Sequence, residues 1–144
     1  MSKFIVQTEF YSTKMCKENK DTLYVFGDNL IGIGSGGQAI IRNEPNSFGV
    51  ATKIFPVNGY HAFLRDNSGT TSNKYMYKFY NRVFKELEDE AKNYKQVVFP
   101  SAGLGTGLSR MEEFAPELLA YIDLKVSVLI GKDYDKYRNN LHLA

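Results

Sequence analysis

Two glycine-rich segments constrain the fold of this sequence more than any other feature. The first, Gly34-Ser35-Gly36-Gly37, follows the short apolar run Leu23–Phe26 and the turn residues Gly27-Asp28-Asn29. The second, Ser101–Leu108, follows the apolar run Gln96–Pro100 directly. Each glycine segment leads into a helix-forming pattern, so the order strand, glycine loop, helix occurs twice. This alternation predicts βαβ units and a largely parallel sheet.

The remaining pattern completes an α/β arrangement. β-branched and aromatic residues predict further strands, and an apolar repeat every four residues from Ser72 predicts an amphipathic helix of about five turns. Acidic residues and a proline early in the segment from Met111 predict a helix ending near Ile122. The short segment Gln38–Arg42 is expected to begin a helix. The other predicted strands are Phe4–Tyr11, Phe48–Phe55 and Val126–Gly131.

The length, charge and cysteine content limit the classes of function that this chain can have. A chain of 144 residues matches one domain, expected to span residues 1–144. The net charge of +2, with scattered lysines and arginines, argues against a double-stranded nucleic acid partner. The single cysteine, Cys16, and the short apolar runs predict a cytoplasmic protein with no membrane partner. Cys16 has no nearby glycine turn or histidine to activate it, and no metal-ligand motif occurs, so neither a nucleophile nor a metal site is predicted.

The placement of the glycine loops predicts a phosphate site. Open parallel sheets bind ligands at the carboxyl ends of their strands, and glycine lets successive main-chain N–H groups converge on an anion. One such loop alone would fit a plain tight turn equally well, whereas two loops at one sheet edge favour a ligand. Neither loop has the Gly-Lys-Ser/Thr ending of a P-loop or the GxGxxG spacing of a dinucleotide fold, which argues against those classes.

These residues resemble the macrodomains, a family that binds ADP-ribose. The likeness rests on Gly27-Asp28-Asn29, on Gly34–Ile40 and on Pro100–Gly107, with the predicted long helix before the last of these. The nearest likeness is to the compact branch that includes terminal ADP-ribose glycohydrolases. The resemblance implies a three-layer fold with a mixed, largely parallel sheet flanked by helices.

The resemblance also implies roles for individual residues. Asp28 or Asn29 would contact adenine or the distal ribose, with Asn29 positioning a water, and Lys53 would correspond to the lysine of the glycohydrolase branch. Ser109 stands near the position where that branch has an acid, which departs from its covalent mechanism. Asn29 and Lys53 are thus the candidate catalytic residues. The candidate ligand-binding residues are Asp28, Gly34, Ser35, Gly36, Gly37, Gln38, Ser101, Gly103, Leu104, Gly105, Thr106 and Gly107.

Three functions follow as alternatives. The chain would bind ADP-ribose or a related NAD-derived nucleotide, or an ADP-ribosylated target, and hydrolyse ADP-ribosyl esters or ADP-ribose 1″-phosphate. Alternatively, it would bind the nucleotide without turnover, or serve as a protein-interaction scaffold. No cofactor is expected. Replacing Gly105 with valine is expected to block phosphate binding while leaving the fold intact. Replacing Asp28 with alanine is expected to lower the affinity for adenosine-containing ligands more than the affinity for free phosphate.

Overall fold

The computed structural model describes residues 2–67 and 72–138 and contains a four-stranded sheet. The strands are β1 (Lys3–Gln7), β2 (Thr22–Asn29), β3 (Ser47–Lys53) and β4 (Gln96–Pro100). Their order across the sheet is β1-β4-β2-β3, and every pairing is parallel. The predicted α/β class is confirmed. Among the described strands the sheet is purely parallel, whereas a mixed sheet was expected.

Helices connect and flank the strands. They are α1 (Thr13–Glu18), α2 (Asn73–Ala91), α3 (Met111–Phe114) and α4 (Pro116–Ile130). Three short 3-10 turns add Gly37–Ile41, Tyr60–Ala62 and Gly107–Ser109. Among the helices that the structure describes, none combines the length and apolar composition needed to cross a membrane.

Both faces of the sheet are covered because β2 is apolar on both sides. Side chains alternate along a strand, so Leu23 and Val25 join a core cluster that includes residues of α2 and α4. Tyr24 and Phe26 point to the other face, into a smaller cluster that includes Cys16. A buried parallel sheet of this kind needs apolar side chains on both faces.

The long helix α2 confirms the strongest periodic pattern in the sequence. Its buried face includes Met76, Tyr80, Phe84 and Leu87. Tyr75, counted with the apolar face from the sequence, is instead 59% exposed. The helix is therefore as predicted, and its buried face is rotated toward Met76.

The strand predicted near the end of the chain is wrong. The expected strand Val126–Gly131 is the end of α4, in which Leu118, Ile122 and Val126 are buried at helical spacing while Val128 is 73% exposed. The apolar run from 126 to 130 looked like a strand because β-branched residues dominate a short window, and only the longer window shows the four-residue repeat. Helix α4 ends at Gly131, whose φ of 74° suits a left-handed cap.

The first strand is also shorter than expected. β1 ends at Gln7 rather than at Tyr11. The residues after Gln7 form the connection to α1, a helix that the sequence analysis did not predict. This shortening matters because it places residues 8–11 at the carboxyl edge of the sheet, beside the second glycine loop.

Candidate functional site

The side chain of Gln38 joins the two glycine loops. Its Oε1 accepts a hydrogen bond from the main-chain N–H of Gly27 at 2.8 Å, and its Nε2 donates to the carbonyl of Gly103 at 2.9 Å. At Gly27 there is no room for a side chain, since a Cβ would lie 2.2 Å from the carbonyl oxygen of Leu104. The end of β2 and the two loops, separated by more than sixty residues in sequence, are therefore in direct contact.

A cleft of about 490 Å³ opens between these loops. Four segments line it: the end of β1 with the connection after it, Gly27 of β2, the start of the first 3-10 turn, and the end of β4 with the loop after it. A volume of this size falls within the usual range for small-molecule sites. The lining residues are Gln7, Thr8, Glu9, Phe10, Tyr11, Gly27, Gly36, Gly37, Gln38, Pro100, Ser101, Ala102, Leu104, Thr106, Gly107, Leu108 and Ser109.

The first glycine loop is shaped by Asn29. Its side-chain oxygen accepts from the N–H groups of Ile31 at 3.2 Å and Gly32 at 3.0 Å, and its Nδ2 donates to the carbonyl of Ile33 at 2.7 Å. Asn29 is buried, and these bonds occupy both ends of its amide. In the structure the residue therefore organises the backbone of the loop.

The ion pair between Asp28 and Arg42 also stabilises the first glycine loop. The guanidinium of Arg42 forms two bonds to the carboxylate of Asp28, and it also donates to the carbonyls of Gly34 at 2.8 Å and Ile33 at 3.1 Å. The sequence analysis did not identify this pair. Such paired geometry is among the stronger polar interactions in proteins.

The second loop is tightly folded. Gly103 and Gly107 have φ values of 98° and 64°, a region that glycine adopts at little cost, and the hydroxyl of Thr106 donates to the carbonyl of Ala102. Gly105 faces the core, where a Cβ would lie 2.3 Å from Sδ of Met111. The expectation that a valine at this position would spare the fold is therefore wrong, because the side chain would enter the core rather than the cleft.

Several main-chain donors of the loops have no acceptor in the part of the chain that the structure describes. The N–H groups of Leu104, Gly105 and Thr106 donate to no group among residues 2–67 and 72–138. The same holds for Gly34, Ser35 and Gly36 within those residues. Leu104 is only 2% exposed and lines the cleft. A buried N–H group without an acceptor costs free energy, so a partner from outside the chain would stabilise this loop.

The cleft wall carries little formal charge. Within the described residues its lining includes the carboxylate of Glu9 but no lysine or arginine. The exposed ring of Phe10 and the side chain of Leu108 give it apolar surface. An anion in this cleft would therefore meet main-chain N–H groups rather than cationic side chains.

Only some of the predicted site residues line the cleft. Gly103 and Gly105 belong to the second loop but do not line the cleft. Asp28, Asn29, Gly34, Ser35 and Lys53 lie away from the cleft wall. The predicted residues that do line it are Gly36, Gly37, Gln38, Ser101, Leu104, Thr106 and Gly107.

Lys53 has an environment of its own at the end of β3. It is 7% exposed, its Nζ donates to Oδ1 of Asn58 at 3.2 Å, and it lies 5.0 Å from the ring centroid of Phe63. Burial lowers the pKa of Lys53 because the charged form loses hydration. The preceding residue, Thr52, is hydrogen-bonded through its hydroxyl to that of Ser109 at 2.6 Å, and Ser109 lines the cleft.

Sequence reasoning missed the contribution of the segment after β1. Thr8, Glu9, Phe10 and Tyr11 were assigned to a strand, yet they line one side of the cleft. The main-chain N–H of Ser101 donates to the carbonyl of Gln7 at 2.9 Å, which continues the β1–β4 pairing. The available signal was the polar pair Thr8-Glu9, which interrupts the apolar character of the strand.

The fold and the cleft define an α/β protein with a ligand-sized cavity at the carboxyl edge of a parallel sheet. A family model described as a family of unknown function, DUF7831, matches residues 6–125. The match covers most of the chain and both glycine loops, so the chain belongs to this family. Neither the curated proteins nor the solved structures contain a significant match to it.

Proposed function

We propose that the cleft binds a nucleotide with a diphosphate group, of the ADP-ribose type, through main-chain N–H groups of the two glycine loops. The observation that carries this proposal is the set of donors at Leu104, Gly105 and Thr106, which have no acceptor among the described residues. Converging main-chain N–H groups form the concave anion sites found in many phosphate-binding loops. The lack of lysine and arginine on the described wall is consistent with recognition by main-chain groups.

The apolar side of the cleft suits the rest of a nucleotide. Phe10 lines the cleft and is 91% exposed, and Leu108 of the second loop also lines it and is 56% exposed. An exposed aromatic ring can stack on a base, and such stacking is worth about 1–3 kcal/mol where it has been measured for nucleic acids. We assign the phosphates to the loops and the base to the surface near Phe10.

The resemblance to macrodomains supports the choice of ADP-ribose over other nucleotides. The order of strand, glycine loop and long helix before the second loop is shared, and we propose the macrodomain-like arrangement on that basis. Asp28 enters the proposal as the residue that fixes the first loop through Arg42, rather than as a base contact.

We propose binding without turnover. Both candidate catalytic residues are engaged elsewhere: the amide of Asn29 holds the first loop, and Lys53 bonds to Asn58 beside Phe63. Ser109 bonds to Thr52 and cannot act as the missing carboxylic acid. A hydrolase would need at least one of these groups to face the ligand.

The test compares Gly107→Asp with Gly107→Asn. Gly107 has φ of 64° and lines the cleft, and a Cβ there would meet no atom within 4 Å. Aspartate and asparagine both tolerate this left-handed conformation better than most residues, and they have nearly the same size. The two variants therefore differ mainly in charge. Calorimetric titration with ADP-ribose should show that the aspartate variant loses at least about tenfold more affinity than the asparagine variant, because its carboxylate repels the diphosphate.

Product analysis of the same samples should show intact ADP-ribose. Equal affinities for the two variants, or no binding by the unmodified protein, would contradict the proposed phosphate site. Release of products would leave the site in place and overturn the proposal of binding without turnover.

A further inference from the structure

A pair of phenylalanine rings, Phe63 and Phe114, forms a platform that is not part of the cleft lining. The ring centroids of Phe63 and Phe114 lie 5.0 Å apart. Phe63 follows the 3-10 turn Tyr60–Ala62, and Phe114 is the last residue of α3. Aromatic faces carry partial negative charge and attract cations.

Three cationic side chains converge on this platform. Lys53 Nζ lies 5.0 Å from the centroid of Phe63, and the guanidinium carbon of Arg110 lies 5.5 Å from the same centroid. Arg110 also lies 4.9 Å from the centroid of Phe114, and Arg65 lies 4.5 Å from it. Arg110 therefore shares the ring of Phe63 with Lys53 and the ring of Phe114 with Arg65.

Only part of this charge is balanced by acidic groups. Arg110 pairs with Glu113 at 2.6 Å. Lys53 donates to Asn58, and Arg65 donates to the carbonyl of Tyr60 at 3.1 Å; within residues 2–67 and 72–138 neither has a carboxylate within 4.0 Å.

The neighbouring carboxylates of Asp66 and Glu117 form their hydrogen bonds with neutral N–H groups rather than with these three cations. All aspartates and glutamates of the chain belong to the described residues. The neighbouring carboxylate of Asp66 accepts from the N–H groups of Glu117 and Leu118, at the start of α4. Glu117 in turn accepts from the side chain of Asn73 at 2.9 Å.

The other arginines in partly buried positions differ from Arg65. Arg42 bonds to Asp28 and Arg138 bonds to Asp123, so each of these guanidinium groups has its own carboxylate. Arg65 instead stacks on aromatic rings, with its guanidinium carbon 3.9 Å from the centroid of Tyr60. Its Nη1 donates to the carbonyls of Tyr60 and Phe63, at 3.1 and 3.4 Å, whereas its Nε and Nη2 donate to no group among residues 2–67 and 72–138. These remaining N–H groups match the oxygens of a phosphate.

We propose that Lys53, Arg65 and Arg110 form a second anion site that takes a phosphate-bearing ligand, separate from the cleft between the glycine loops. The site uses charged side chains, whereas the described cleft wall has no lysine or arginine. The two sites are neighbours in the chain, because Lys53 follows Thr52 and Arg110 follows Ser109. A bound phosphate would offset the mutual repulsion of the three cations.

The test uses inorganic pyrophosphate as the probe at low ionic strength. Nuclear magnetic resonance of the arginine Nε–H groups follows each arginine separately during the titration. The signals of Arg65 and Arg110 should shift and saturate. Arg65→Gln and Arg110→Gln should each weaken this binding by about tenfold, the loss expected for a charge-assisted hydrogen bond.

Arg82→Gln is the matched control. Arg82 lies over the ring of Phe79 at 5.5 Å, so it also stacks on an aromatic ring, but it stands outside the cluster. Its replacement should leave pyrophosphate binding unchanged. Gly107→Asp should likewise leave the shifts of Arg65 and Arg110 in place, which separates this site from the proposed nucleotide cleft.

Three results would overturn the proposal. The first is that the Arg65 and Arg110 signals do not move in the folded, unmodified protein. The second is that Arg82→Gln weakens binding as much as the other two substitutions, which would indicate nonspecific attraction. The third is that Gly107→Asp abolishes the shifts at Arg65 and Arg110, which would place pyrophosphate in the cleft alone.

Discussion

Replacing Gln38 with methionine tests whether one side chain holds the two loops together. Methionine has a similar length and flexibility but cannot donate or accept the two hydrogen bonds that Gln38 makes with Gly27 and Gly103. Each such bond contributes about 1 kcal/mol, and the N–H of Gly27 would also lose its acceptor. The expected loss of stability is therefore about 2–3 kcal/mol.

Urea unfolding measures this loss. With a slope of about 2 kcal/mol per molar urea, a typical value for a small protein, the midpoint should fall by roughly 1 M. Gln96→Met is the matched control, because Gln96 donates a single side-chain bond to Thr22 at 3.0 Å, at the opposite end of the sheet. The control should lose about 1 kcal/mol or less.

Gln38→Glu separates the two bonds. A carboxylate can still accept from the N–H of Gly27 but would face the carbonyl of Gly103 without a proton to donate. The variant should be destabilised at neutral pH and should regain part of the loss below about pH 4, where its carboxyl group is protonated. If Gln38→Met lowers the free energy of unfolding no more than Gln96→Met does, Gln38 does not hold the two loops together.

Two further predictions concern buried titrating groups. Burial raises the pKa of the Cys16 thiol to about 11, so a thiol reagent at pH 8 should modify the native protein at least about a hundredfold more slowly than the unfolded chain; comparable rates would contradict its burial. Burial also raises the pKa of Tyr80, whose hydroxyl donates to the carbonyl of Ala51 at 2.7 Å. The unfolded state then loses this proton first, so stability should fall as the pH rises above about 10, and Tyr80→Phe should make that fall less steep in urea unfolding. An unchanged slope in the variant would show that Tyr80 does not contribute.

The elements with long or repeated signals could be predicted from sequence. Helix α2 has a nineteen-residue amphipathic pattern, and β2 and β4 each contain a short apolar run that precedes a glycine loop. The apolar run at the end of α4 could not be assigned from a short window, because burial on one face of a helix and burial within a strand give the same local composition. Tertiary packing against the sheet decides between them.

The position of the candidate site could be predicted from the sequence, but the side-chain contacts that hold it together could not. Glycine loops after two strands place a site at the carboxyl edge, and the observed cleft lies between those loops. The Asp28–Arg42 pair, the Gln38 bridge and the cluster around Phe63 depend on contacts between distant residues. No local pattern reports such contacts, so only the structure reveals them.

The most direct measurement of the central claim is an amide nuclear magnetic resonance titration of the unmodified protein with ADP-ribose. We expect the largest shifts at the N–H groups of Leu104, Gly105 and Thr106 in the second loop and at that of Gly36 in the first loop, all saturating at the same ligand concentration. Resonances at the opposite end of the sheet, such as that of Thr22, should stay unchanged. Shifts that avoid both loops, or the absence of any shift at saturating ligand, would contradict the account.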